Sequence, residues 1–176
     1  MNDAGMILSG LLAIVGLALS IAYSDQPPLA RLQTSPAAIA LIKEREGLRL
    51  EAYQDVGGRW TIGYGHAGDV DPDMRIDLRK AERLLHQDIA RIERFIKKRI
   101  KTEVNQNEFS ALVSLAYNIG TGALSNSTVF NALNDGDRET AAEAFLMWTK
   151  IRIDGELVDS VYLARYRGEE RDLFLR

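Results

Sequence analysis

The hydrophobic positions of this chain change period several times, and each change marks an element. Residues 4 to 23 form an uncharged run of 20 residues between Asp3 and Asp25, about the length of a helix that crosses the hydrocarbon core of a bilayer. Asp25 to Thr34 is polar and proline-containing, the composition of a linker. From Ser35 the period becomes helical. Ser35 suits an N-cap, Pro36 the first helical position and Gly47 the residue after the end, with Ile39, Ile42 and Glu46 at i, i+3 and i+7. That stripe sets Glu46 on the apolar face and leaves Lys43 and Arg45 to the solvated one. Beyond Gly47 the period drops to two. Leu48, Leu50 and Tyr53 lead into a turn at residues 54–58, and Trp60, Ile62 and Tyr64 alternate with Thr61, Gly63 and Gly65, which predicts a β-hairpin.

The remainder reads as helices. After a polar loop at 69–77, Asp77 caps a long helix over 78–98, with Leu85, Ile89, Ile92 and Ile96 inward and Arg91, Arg94, Lys98 and Lys101 as a solvated basic face. Asn105 and Glu108 form a capping-box pair ahead of Phe109, Leu112, Val113, Leu115 and Ala116, an apolar body that predicts the central core helix. That helix stops at the glycine-rich turn 118–122. A short helix over 127–133 and one from Asp137 through Trp148 follow, then a polar loop at 151–159 and a closing segment, SVYLARYRGEERDLFL. The fold class is α+β, mostly α. The organisation is a hydrophobic segment at 1–24, a linker at 25–34 and a globular domain at 35–176.

Chemistry concentrates at the first change of period. A glutamate at a helix end on an apolar face is desolvated, which raises its pKa and keeps a protonated acid available near neutral pH. Asp55, in a polar turn, stays ionised. Two carboxyl groups in contrasting environments suit glycoside hydrolysis, one protonating the leaving oxygen and the other supporting the oxocarbenium-like transition state or activating water. Thr61, on the returning strand, could hold that water. Taken singly, each has a plainer reading: a helix-end glutamate reaching solvent, and turn chemistry for the aspartate.

Glu46, Asp55 and Thr61, spaced by nine and six within EGLRLEAYQD and TIGYGH, resemble the catalytic motif of the phage-type lysozymes, glycoside hydrolase family 24, with similarity over residues 35 to 176. The resemblance implies a lysozyme-like fold in which a small β-hairpin lobe and a helical lobe flank a cleft. It implies a muramidase that cleaves the β-1,4 bond between N-acetylmuramic acid and N-acetylglucosamine, with Glu46 as general acid, Asp55 as second carboxylate and Thr61 placing the water. His66, Tyr117, Asn118 and Thr128 are the matching candidates for saccharide contacts, although a cap or core role serves each of the last three equally. The family's Gly-Leu-Arg-Arg pattern is altered here by loss of its glycine. The arginine that pairs with the catalytic glutamate falls at Arg165, or at Arg167 in the other register.

Composition narrows the partners. The chain has no cysteine, so disulfides, thiol chemistry and cysteine metal sites are excluded, and its two histidines, His66 and His86, are too few and too far apart for a metal motif. No cofactor is expected. A net charge of −3 gives no reason to propose nucleic acid. In the 4–23 run, Gly5, Ser9, Gly10, Gly16 and Ser20 dilute the Leu and Ile. By resemblance, such a segment is a signal-anchor-release element, which exports the enzyme uncleaved, holds it inactive in the inner membrane and frees it into the periplasm when a holin depolarises the membrane. Dilution suits escape, since each missing buried methylene removes roughly 0.8 kcal/mol of retention. A cleaved signal peptide is the rival, weakened by the absence of Lys or Arg before the run. With only a short linker before the catalytic helix, tethering could itself displace the acid. The expected partners are peptidoglycan glycan strands and, before release, the inner membrane, with a monomer once soluble. A lytic transglycosylase, which needs only the glutamate, and a non-catalytic peptidoglycan binder are the competing functions.

Overall fold

The computed structural model describes residues 28–55, 57–153 and 155–176. The chain divides into two units, 1–32 and 33–176. Of the first, the described part is a short helix α1, Pro28–Arg31, and the expected hydrophobic segment lies outside the described residues. No helix among the described residues is long and apolar enough to cross a membrane.

The second unit opens with α2, Pro36–Glu46, where the Ser35 hydroxyl accepts from the Ala38 amide and Gly47, at φ 67°, ends the helix. Antiparallel strands β1, Arg49–Gln54, and β2, Trp60–Gly63, follow. Tyr53 pairs with Thr61 and Gln54 with Trp60, and the register shifts between Arg49 and Tyr53. Residues 74–76 run along the far edge of β1, through bonds from the Ala52 amide to the Met74 carbonyl and from the Ile76 amide to the Leu50 carbonyl. That segment belongs to the predicted polar loop, and it widens the small lobe beyond a bare hairpin.

Helix α3, Leu78–Arg99, has the predicted Asp77 cap, and its buried side holds Ala81, Leu84, Leu85, Ile89 and Ile96. Helix α4, Gln106–Ile119, starts in the predicted capping box and is buried from Glu108 to Ala116. It is the core of the helical lobe, packed against α2, α3 and the C-terminal helix α8, Val161–Phe174. Gly120, at φ 84°, ends α4 and starts α5, Thr121–Ser125. Helices α6, Thr128–Asn134, and α7, Arg138–Ala144, pack on each other. Where the pattern predicts one helix through Trp148, α7 tightens into a 3₁₀ turn, Phe145–Met147, and stops.

The expected polar loop at 151–159 is instead a second hairpin, β3, Lys150–Ile153, with β4, Glu156–Asp159. Ile151 pairs with Val158 and Arg152 with Leu157 across it, and Gly155 adopts φ 89° at the turn. Every residue described in its strands is exposed.

Candidate active site

The end of α2 holds Glu46 where its carboxyl is largely desolvated. Its side chain is 22% exposed, and Oε1 accepts a bond from Arg45 Nε at 3.1 Å. The other oxygen faces Gly65. A Cβ at that position would lie 3.0 Å from Glu46 Oε2, and φ there is 80°, so the close approach and the backbone both require glycine. Burial pushes the Glu46 pKa above the ordinary carboxyl value, opposed by the charge and hydrogen bond of Arg45 and by Arg167, and assisted by Glu170.

Beneath Glu46 lies a buried polar network. Arg45 Nη1 donates to Glu170 Oε1 at 2.7 Å and Nη2 to the Ser114 carbonyl at 3.1 Å, while the Ser114 hydroxyl donates to the same Glu170 oxygen at 2.6 Å. Arg167 Nη1 holds Glu170 Oε2 at 2.6 Å, its Nε donates to the Trp148 carbonyl at 2.9 Å, and its Nη2 donates to Asn118 Oδ1. The Arg45 carbonyl accepts from the Tyr162 hydroxyl at 2.8 Å. Arg45 and Arg167 against Glu46 and Glu170 make a balanced set in which each guanidinium has a carboxylate.

Asp55 differs from Glu46 in its hydrogen bonds. Its Oδ1 accepts from the Arg59 amide at 2.9 Å and the Gly57 amide at 2.8 Å, and Oδ2 lies 3.6 Å from Arg59 Nε. The hydrogen bond from the Arg59 amide is the largest influence; partial desolvation opposes it, and the Gly57 amide and the Arg59 guanidinium add to it, so the pKa is held below the ordinary value. Thr61 is buried on β2, and its hydroxyl donates to the Arg59 carbonyl at 3.1 Å. Opposite it on β1 is Tyr53. Desolvation pushes the Tyr53 phenol up against the pull of Arg49, and the fields of both Glu46 and Asp55 add to the rise. Tyr53 therefore lies within electrostatic reach of both carboxylates.

A groove of about 380 Å³ lies beside these groups, lined by Arg59, whose amide bonds Asp55, by Gly65, which faces Glu46, and by Asp88, Arg91, Tyr117 and Thr121; Glu46, Asp55 and Thr61 border it through these neighbours rather than lining it themselves. Tyr117 projects from the end of α4, its hydroxyl donating to the Tyr64 carbonyl at 2.7 Å, and burial raises its pKa. His66 has both ring nitrogens engaged, Nδ1 with Asp88 at 2.7 Å and Nε2 with the Gly68 carbonyl at 2.7 Å. It braces the turn after β2 against α3. Asn118, exposed near the end of α4, accepts from Arg167 Nη2.

Three expectations differ from the structure. Arg165 points outward and bonds Glu44 and Glu169, and it is Arg45 that touches Glu46. Arg167 reaches Glu46 only through its field and through Glu170. Thr128 lines a separate cavity with Glu139, Thr140, Glu143, Ala144 and Met147 rather than the groove at Gly65 and Tyr117. Arg45, expected on the solvated face, is 7% exposed. Its signal was present, because Ala38, Ile42 and Arg45 fall at i, i+4 and i+7 and form the buried side of α2. Glu170 was also readable, three residues after Arg167 on one helix face. Among the described residues no group of His, Asp and Glu is gathered as a metal site.

A cleft beside one carboxyl raised by burial and one lowered by amide hydrogen bonds, on a mostly helical scaffold with a small sheet, is the layout of a lysozyme-type glycoside hydrolase. A profile of the phage lysozyme family matches residues 43–170, and the chain belongs to that family. The endolysin of Acyrthosiphon pisum secondary endosymbiont phage 1 is 38% identical over 143 residues, 81% of this chain and 98% of the relative. The endolysin of Salmonella phage P22 is 40% identical over 149 residues, 82% of this chain and 99% of the relative. The muramidase domain of SpmX from Asticaccaulis excentricus has a similar structure, with a TM-score of 0.77 at 38% identity over 83% of this chain and 99% of that one. The SAR-endolysin of Pseudomonas phage phiKMV is 32% identical over 76% of this chain and 83% of its own length.

Proposed function

We propose that this chain is an endolysin that hydrolyses the β-1,4 bond between N-acetylmuramic acid and N-acetylglucosamine in host peptidoglycan. The observation that carries this reading is the divergence of the two carboxyls, Glu46 raised by burial and Asp55 lowered by amide hydrogen bonds. That divergence favours a proton donor at Glu46 for the leaving oxygen and an anion at Asp55. Glu46 protonates the glycosidic oxygen, Asp55 activates water or supports the cationic sugar, and Thr61 positions the water. Tyr117, with His66 behind the wall, shapes the saccharide groove, while Asn118, Thr128 and Arg165 stand outside the direct contacts. Digestion of purified sacculi followed by mass analysis tests this. Fragments with reducing ends are expected; 1,6-anhydro ends would identify a transglycosylase, which has no use for Asp55 and Thr61, and intact sacculi a binder.

The likeness to SAR-endolysins and the uncharged, glycine-diluted run at 4–23 support a second element of the proposal. Residues 1–24 act as a signal-anchor-release segment and 25–34 as a linker to the catalytic domain at 35–176. The enzyme is held inactive in the inner membrane with its domain in the periplasm, depends on a holin for depolarisation, and is a soluble monomer after release. The expected result is a full-length soluble species after depolarisation of expressing cells. A soluble product beginning near residue 24 would identify a cleaved signal peptide instead.

A further inference from the structure

Helix α3 carries three carboxylates, Glu82, Asp88 and Glu93, and each is turned to a partner on another element. Glu82 holds Lys43 at 2.6 Å and accepts from the Tyr64 hydroxyl at 3.2 Å, Asp88 bonds His66 at 2.7 Å, and Glu93 accepts from both the amide and the hydroxyl of Thr34. The cations of its outer side are left unopposed. Arg83, Arg94 and Lys98 are exposed, and no carboxylate among the described residues pairs with them. At 3.6 residues per turn these three fall within about 60° of one another, opposite the buried Ile89 and Ile96, and span about 22 Å of the helix. Lys101, exposed just past the helix end, extends the line. On a chain with a net charge of −3 this is a local segregation of charge, not a bulk excess. The chain also enters the domain at this helix: Thr34 is fastened to Glu93, one residue before Arg94, and the Gln33 carbonyl accepts from Gln106 at the start of α4.

We propose that this face of α3 is an electrostatic docking surface for the phosphate headgroups of an anionic bilayer. Unpaired guanidinium and ammonium groups along one helix side complement such a surface, and each held near it contributes to retention. A bilayer rather than a wall polymer is the partner because of the entry point: with residues 1–24 in the inner membrane, the short linker at 25–34 keeps α3 close to the headgroups. That choice of partner rests on the membrane-anchored reading above, while the cleavage chemistry does not enter. The consequence is a second hold on the membrane, made by charge and weakened by salt, which adds to that of the apolar run.

The test compares full-length protein on vesicles of phosphatidylcholine alone and of phosphatidylcholine mixed equally with phosphatidylglycerol. The apolar run at 4–23 meets the same hydrocarbon in both, so the difference in partitioning reads the charged face. Wild type is expected to prefer the anionic vesicles at low ionic strength and to lose the preference at about 0.5 M salt. The double variant Arg94→Gln/Lys98→Gln keeps the fold, because both positions are exposed and glutamine is a good helix former, and neither residue lines the groove. It is expected to lose about 25-fold of the preference, roughly fivefold for each cation, while its digestion of sacculi stays within about twofold of wild type on the same scale. Lys150→Gln/Arg176→Gln makes the same change in net charge at exposed positions on other elements and is expected to keep the preference. Equal partitioning of wild type onto both vesicles, a preference that survives in the α3 variant, or one lost equally in the control variant would overturn the proposal. So would a loss confined to sacculus digestion, which would assign the face to the wall polymer. Wild type that ignores neutral vesicles and binds anionic ones would count against the anchoring of residues 1–24 and leave this surface standing.

Discussion

Glu46→Gln is expected to lower turnover on sacculi by about 10³-fold or more, roughly 4 kcal/mol of transition-state stabilisation. The amide keeps the shape of the side chain and the acceptor for Arg45 but cannot deliver a proton. The same substitution should not destabilise the protein. Burial raises the Glu46 pKa in the folded state, so its contribution to stability is fully present below the unfolded-state pKa and is lost as pH rises through the folded one. Burial disfavours the ionised carboxylate, so replacing it with a neutral amide is expected to leave the melting temperature unchanged or higher. An inactive variant at least as stable as wild type is the expected pair of results. Retained lysis by Glu46→Gln would remove Glu46 from the acid role, and a large drop in melting temperature would mean that its charge is needed to neutralise Arg45.

Glu170→Ala carries the second large effect, on stability and on the pH profile together. Glu170 is fully buried between Arg45 and Arg167, bonding one with each carboxylate oxygen. Removing it leaves Arg167 without its carboxylate and Arg45 with only Glu46, a loss of about 3–5 kcal/mol for a broken buried pair. For a domain of this size that lowers the melting temperature by roughly 6–20 °C. Glu170 also raises the Glu46 pKa, whereas Arg45 and Arg167 lower it. Without Glu170 both guanidiniums act on Glu46 unopposed, so its pKa falls and the alkaline limb of the activity profile moves to lower pH. The acid limb, set by Asp55 with its amide bonds, stays in place. Thermal unfolding and a pH–rate profile on sacculi check both effects. A melting temperature within about 2 °C of wild type, less than one lost kilocalorie per mole, or an alkaline limb moved upward, would contradict this account.

The elements readable in the chain were those specified by local chemistry. The Asp77 cap of α3 and the Asn105–Glu108 box of α4 are contacts between residues three apart, and each terminus falls where its polar residue places it. Glu46, Asp55 and Thr61 stand close in sequence on one helix end and one hairpin, so their grouping was also legible. What escaped notice depends on distant parts of the chain. Arg45 reads as solvated because it is charged; its place on the Ala38 and Ile42 side of α2 and the i, i+3 pair of Arg167 and Glu170 are local patterns, but the pairing of Arg45 with Glu170, 125 residues away, is not. The second hairpin is hidden for another reason: the sequence pair Asp154-Gly155 carries one of the strongest short hairpin signals, but the flanking strands bury nothing and their polar content reads as a loop. Arg165 and Arg167 could not be told apart from spacing alone, since they lie on different faces of one helix and only the packing of α8 against α4 selects Arg167 for the interior.

Where the chain enters the catalytic domain, Thr34 is buried, and both its amide and its hydroxyl donate to Glu93 Oε1 of α3, at 2.6 and 2.7 Å, while the next amide, Ser35, donates to Ser110 of α4 at 3.0 Å. This arrangement is a strain relief of the kind fitted where a cable enters a housing. A pull from upstream is borne by α3 and α4 before it reaches the helix that carries Glu46. Substituting Glu93 with alanine is therefore expected to loosen the entry of the chain into the domain while leaving the end of the helix that carries Glu46 bonded through Arg45.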